Sequence, residues 1–256
     1  MTTAILAASH GTSSPEGQAA VRRLVEAVDA ALAEPVLGCH VDVEQPDVPT
    51  ALDAAARIAD RAVIVPLLLS AGYHVYVDLA ESAAEAPLPA TVTGALGPDT
   101  RLVEVLVRRL AEAGMRDADA VVLAAAGSSD KRAVADCRTM GRLLAARLGR
   151  PVTVGFISAA APALPEAVAS ARNAHPGARV LIATYLLAPG YFASLAEGAG
   201  ANAVTEPLLT AASTPSELVE LVVERAVAIR VSGLCPSPSA VRHRRSHSAS
   251  EIVHLG

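Results

Sequence analysis

Two hydrophobic rhythms alternate along the chain. Short runs such as residues 4–9 and 62–69 are apolar almost throughout, whereas residues 15–33 place apolar side chains every three or four positions. The first rhythm suits a strand buried on both faces and the second an amphipathic helix. In the first part of the chain this spacing predicts strands over about 3–8, 36–43, 62–69 and 90–94, and helices near 15–33, 49–59, 75–84 and 99–113. Pro15 and Pro49 stand where helices begin, a position at which the missing N–H costs nothing. Strand and helix in regular alternation imply βαβ units, a parallel sheet and right-handed crossovers.

The same series is written twice. AILAASHGTSSPEGQAAVRRL from Ala4 matches AVVLAAAGSSDKRAVADCRTM from Ala120, and EPVLGCHVDVEQPDVPTAL matches RPVTVGFISAAAPALPEAV. VIVPLLLSAGYHVYVDLAE likewise matches VLIATYLLAPGYFASLAE. Matching blocks in the same order imply a duplicated α/β fold: two three-layer units with parallel four-stranded sheets, over about 1–116 and 117–232, facing each other across a cleft. Residues 233–256, rich in Ser, Pro, Arg and His without a period, read as a disordered tail.

Composition narrows the function. Hydrophobic residues at 52% exclude bulk disorder, and a net charge of −5 leaves no basic stripe for nucleic acid. The cysteines Cys39, Cys137 and Cys235 are too scattered for a disulfide framework, which suggests a reducing, cytoplasmic setting. No apolar run is long enough for a membrane span, and MTTAILAASHG lacks the basic start of a secretory signal. The Gly-Ser turns lack the dinucleotide, P-loop and nucleophile-elbow patterns.

In open parallel sheets, ligands bind beyond the carboxyl ends of the strands where strand order reverses. With the order 2-1-3-4, that point lies between strands 1 and 3. His10 follows strand 1, His74 follows strand 3, and Glu44 follows strand 2 on the far side of strand 1. Two imidazoles and a carboxylate suit Fe²⁺ or Co²⁺ and can also accept protons. The duplicate carries Ala126, Phe192 and Ala160 at the matching positions, while Gly11/Gly127, Gly72/Gly190 and Tyr73/Tyr191 occur in both copies. Features the fold requires appear twice and the candidate ligands once, as expected of one active site, although drift in one copy gives the same pattern.

LAASHGTSS, VDVEQPDVPTAL and PLLLSAGYHVYVDL together resemble the sirohydrochlorin chelatases, the small class II enzymes that insert cobalt or ferrous iron into sirohydrochlorin. The resemblance covers about residues 3–230. It implies that His10 and His74 are the metal-binding and catalytic pair, that the metal is a substrate, and that no organic cofactor is used. The start Ala-Ser-His-Gly departs from the Gly-His-Gly of many relatives. Glu44 is expected to join the histidines as a catalytic group. Ser9, Gly11, Ser13, Ser70, Gly72, Tyr73, Ser128 and Tyr191 are expected to touch the carboxylate-rich substrate, since helix N-termini and nearby hydroxyls favour anions. Helix capping is the plainer role for Ser13, Ser14, Ser70, Ser128 and Ser129. His40 and His175 are expected to be structural, and Arg22 and Arg23 a solvated face. Iron insertion for siroheme is the leading expectation, with cobalt insertion for cobalamin, or a non-catalytic metal or tetrapyrrole carrier, as alternatives. With both halves in one chain, a monomer is expected.

Overall fold

The computed structural model describes residues 1–70 and 72–231, without the side chains of residues 73–76 and 229–231. The expected tail, 233–256, lies outside the described residues. The first sheet contains β1 (Thr3–Ser9), β2 (Val36–His40), β3 (Arg61–Pro66) and β4 (Ala90–Val92), in the order β2-β1-β3-β4. The second contains β5 (Ala120–Ala125), β6 (Val152–Phe156), β7 (Val180–Tyr185) and β8 (Ala203–Val204), in the equivalent order β6-β5-β7-β8. All pairings are parallel, with Ile5 beside Val36 and Val63, and Val121 beside Val152 and Leu181.

The helices are α1 (Pro15–Ala31), α2 (Val48–Ala55), α3 (Tyr73–Ala84) and α4 (Thr100–Glu112), then α5 (Lys131–Leu148), α6 (Leu164–Ala174), α7 (Tyr191–Glu197) and α8 (Ser216–Val231). Among the described residues, no helix is long and apolar enough to cross a membrane. β2 stops earlier than the apolar pattern suggests, because Val43 takes a left-handed φ of 65° in the turn that leads to α2. β3 ends at Pro66, which has no N–H for the ladder.

Strand alternation divides the core. Ile5 and Ala7 point to one cluster, and Ala4, Leu6 and Ala8 to another built on α2 and α3. In the second sheet Val121, Leu123 and Ala125 join the first cluster, whereas Ala120, Val122 and Ala124 pack with α6 and α7. One cluster therefore runs through both halves. The reason is an exchange of helices: α4 packs against β7 and α5, while α8 packs against β3 and α1. Leu102, Leu106 and Leu110 of α4 are fully buried, at about 2 kcal/mol each. The paired Arg108–Glu217 and Arg147–Glu104 contacts between the halves are partly exposed, so each adds at most about 1 kcal/mol. Hydrophobic burial decides where α4 rests. Arg109, only 5% exposed, completes the seam by donating to the carbonyls of Pro207 and Leu208 at 3.0 Å.

Candidate active site

α1 covers the inner face of the first sheet, and α2 and α3 cover the outer face. The chain thus leaves β1 and β3 on opposite sides, which opens a crevice between their carboxyl ends. His10 is the first residue past β1 and is exposed. His74 is the second residue of α3, which follows β3 and the loop after it. Its backbone lies at the same edge of the sheet, and its side chain, like that of Tyr73, is outside the described residues.

The loop bearing His10 is held by its backbone. Gly11 has a φ of 93°, and a Cβ there would collide with the carbonyl of Asp42. The Asp42 N–H donates to the His10 carbonyl at 3.0 Å, and Val41 N–H donates to Ser9 at 2.9 Å. The second half repeats this stitch: Gly127 has a φ of 90° against Ser158, whose N–H donates to Ala126 at 2.9 Å.

Behind His10 lies a polar network with no counterpart in the second half. Strand register sets Ser9 beside His40. The Ser9 hydroxyl lies 2.8 Å from His40 Nδ1, the direction of donation depending on the tautomer. His40 Nδ1 is 3.7 Å from Glu44 Oε1, which accepts the Thr12 N–H at 2.8 Å. Ala125, Phe156 and Ala160 stand in the matching places. Glu44 and His40 are about 15% and 14% exposed, so the network is shielded and braces the His10 loop. His40 was legible only through register: its i, i+4 spacing to Glu44 was visible, but its meeting with Ser9 needed β1 and β2 side by side.

Several expected contacts fall elsewhere. Ser9 is 3% exposed, and its hydroxyl is engaged by His40, so it does not face a ligand. Ser70 lies beside the buried Cys137 thiol, across the seam between the halves. Ser128 accepts the Asp130 N–H at 3.0 Å and shapes the turn into α5. Ser14 caps α1 by accepting the Gly17 N–H, and Gly72 is the residue before α3. Ser13 and Tyr191 remain exposed. They line a cleft of about 450 Å³ that also takes in Ser14, Ser194, Glu197 and Glu206. This cleft joins the β1–α1 loop of the first half to α7 and the loop after β8 in the second. His175 caps the end of α6, a structural place.

The donor set is nitrogen and oxygen. Burial pushes the Cys39 thiol up to about 12 and the Cys137 thiol to about 11, so neither offers a thiolate at neutral pH. Among the described residues, which omit the His74 side chain, no three His, Cys, Asp or Glu groups stand together as a metal cage.

Similarity to known proteins agrees with this geometry. No curated protein matches the chain in sequence. Among solved structures it is similar to SirB from Bacillus subtilis with Fe³⁺, at TM-score 0.76 and 21% identity over 90% of this chain and 98% of that one. It is also similar to the sirohydrochlorin chelatase SirB from Bacillus subtilis subspecies spizizenii in complex with cobalt, at TM-score 0.70 and 18% identity over 91% and 97%. A multi-domain Deinococcus radiodurans protein described as similar to chelatases matches at TM-score 0.61 and 18% identity, over 88% of this chain and 54% of that one. The CbiX family model matches residues 4–113 and 120–196, through both halves. On that match, the chain belongs to the CbiX family and is a metal chelatase.

Proposed function

We propose that this chain inserts Fe²⁺ into sirohydrochlorin, with release of the two pyrrole protons, as a cytoplasmic, monomeric step in siroheme formation. The observation that carries this reading is the pair of single-copy histidines at the strand-order reversal of a duplicated fold. The likeness to SirB, which has been seen with Fe³⁺ and with cobalt, supports the class of metal. Co²⁺ is the second reading, because nitrogen donors hold it at least as well as Fe²⁺. In this account His10 and His74 bind the divalent metal and present it to the ring, and then take up the pyrrole protons as the metal leaves them. The Glu44 Oε1 already receives the Thr12 N–H, and its side chain is shielded. We assign it a positioning role instead. Tyr191 and the loop that carries His10 and Gly11 hold the substrate.

The test is anaerobic mixing of catalytic amounts of protein with sirohydrochlorin and Fe²⁺ or Co²⁺, followed by absorbance. Many turnovers per chain are expected; a single stoichiometric uptake would make the protein a carrier and sink the enzymatic reading. Protons and metal compete for the same imidazole nitrogen. At subsaturating metal, insertion should therefore fall in acid and recover as metal is raised. An acid profile identical at both metal concentrations would take metal binding away from His10 and His74.

A further inference from the structure

The second half has lost the histidines but not its place beside them. Gly17 of α1 lies so close to the Pro189 carbonyl that a Cβ would collide with it, and a Cβ at Gly190 would lie 3.1 Å from Thr12 Oγ1. The β1–α1 and β7–α7 loops therefore touch. His10 stands two residues before Thr12, and Phe192 two residues after Gly190.

The start of α7 is unusual in what it leaves in water. The chain has two Phe, four Tyr and no Trp, and Tyr185 is 2% exposed. Yet Tyr191, Phe192 and Leu195 are 73%, 40% and 40% exposed, with the two rings 6.0 Å apart. α7 rests on the second sheet through Ala196, which is fully buried, so these three side chains are not spent on the core. Clustered exposed apolar groups beside a cleft mark a binding surface. The adjoining cleft carries Glu16, Glu197 and Glu206. Its charge would repel carboxylates while leaving a neutral ring face unaffected, so a flat, carboxylate-fringed ligand fits with its ring on α7 and its fringe turned away from the glutamates.

We propose that Phe192, with Tyr191 and Leu195, is the platform on which the tetrapyrrole ring stacks, so that the half without counterparts of His10 and His74 holds the substrate while the other half delivers metal. This rests on the chelatase reading above. Aromatic stacking supplies the attraction, and a Phe in place of the duplicate's histidine removes a competing metal donor from the holding side.

Titration of the full chain with metal-free sirohydrochlorin, read by absorbance, tests the platform separately from insertion. Phe192→Ala should weaken binding about tenfold, and Phe192→Tyr should restore most of it. Co²⁺ binding to either variant without tetrapyrrole should match the parent, and so should the melting curve, as the side chain is exposed. If Phe192→Ala/Leu195→Ala binds sirohydrochlorin as tightly as the parent, the platform is wrong and the chelatase reading stands. If the parent is a dimer that this double variant dissociates, the patch belongs to a second copy and the proposal also falls. A parent that binds no sirohydrochlorin overturns the chelatase reading and the platform with it.

Discussion

The carboxyl edges of the two sheets share a backbone and differ in chemistry. Both have a left-handed glycine after the first strand, Gly11 or Gly127, pressed on a carbonyl of the following turn. Both have a left-handed residue in that turn, Val43 or Ala159, and a short bridge closing it, His40–Asp47 or Phe156–Ala163. Ser9, His10, His40 and Glu44 occur in one copy, against Ala125, Ala126, Phe156 and Ala160 in the other. The fold tolerates either set. What the first edge adds is a shielded polar network behind an exposed imidazole, an arrangement the fold does not require.

The sharpest way to break this comparison is to remove its two histidines. His10→Ala or His74→Ala should lower insertion by more than the roughly 10–100-fold that loss of a supporting partner costs a metal site, with melting unchanged. Ala126→Ser in the other half should stay within about twofold. Equal losses from both edges would mean that the active copy has been misassigned.

The next effect concerns the network. His40→Phe and Glu44→Ala install the second half's residues and should weaken Co²⁺ binding about tenfold or more, by releasing the Thr12 loop. Glu44→Gln keeps an acceptor for the Thr12 N–H and should lose less. If Glu44→Gln and Glu44→Ala behave alike in metal titrations, the carboxylate charge rather than the brace is what matters.

The seam between the halves gives a smaller, purely structural contrast. Arg109→Ala strips two buried carbonyls of their donor and should lower unfolding stability by about 2–4 kcal/mol. Arg108→Ala removes a partly exposed pair and should cost below about 1 kcal/mol. Urea unfolding that ranks them the other way would deny the exchanged helix its buried anchor.

The smallest effect is alkaline. Cys39 and Cys137 have folded pKa values raised from 9.0 to about 12 and about 11, chiefly by burial. The unfolded chain ionises these thiols first. Their contribution is therefore complete below pH 9 and declines as the pH rises through 9 toward those values. At pH 10 each thiol should account for about 1 kcal/mol of lost stability. Cys137→Ala should flatten the urea-midpoint profile between pH 8 and 10.5, and an unchanged slope would show that the thiol is not sequestered at the seam.

Much of this was written in the one-dimensional pattern. Apolar runs and helical spacing are local, so the strands, the helices and the duplication follow from neighbours along the chain. Right-handed crossovers are compatible with the order 2-1-3-4, and that order, which the first sheet has, sets the segments that follow strands 1 and 3 at one edge. Capping by Ser14 was equally local. Other features depend on residues far apart in sequence. Ser9 reads as a surface hydroxyl beside His10, but strand pairing turns it inward onto His40. Glu44 reads as a catalytic carboxylate beside the histidines, but the meeting of two loops gives it the Thr12 N–H. Nothing in residues 100–112 reveals that the helix closing the first half lies on the second sheet. Amphipathic spacing states that Leu102, Leu106 and Leu110 must be buried and is silent on where. By itself, the sequence determined the elements, their repetition and the residues able to carry chemistry, because those are set by local spacing and side-chain type. The shared core, the brace behind His10 and the exposed face of α7 were decided only by tertiary structure, because each depends on which surfaces, far apart in sequence, meet and are removed from water.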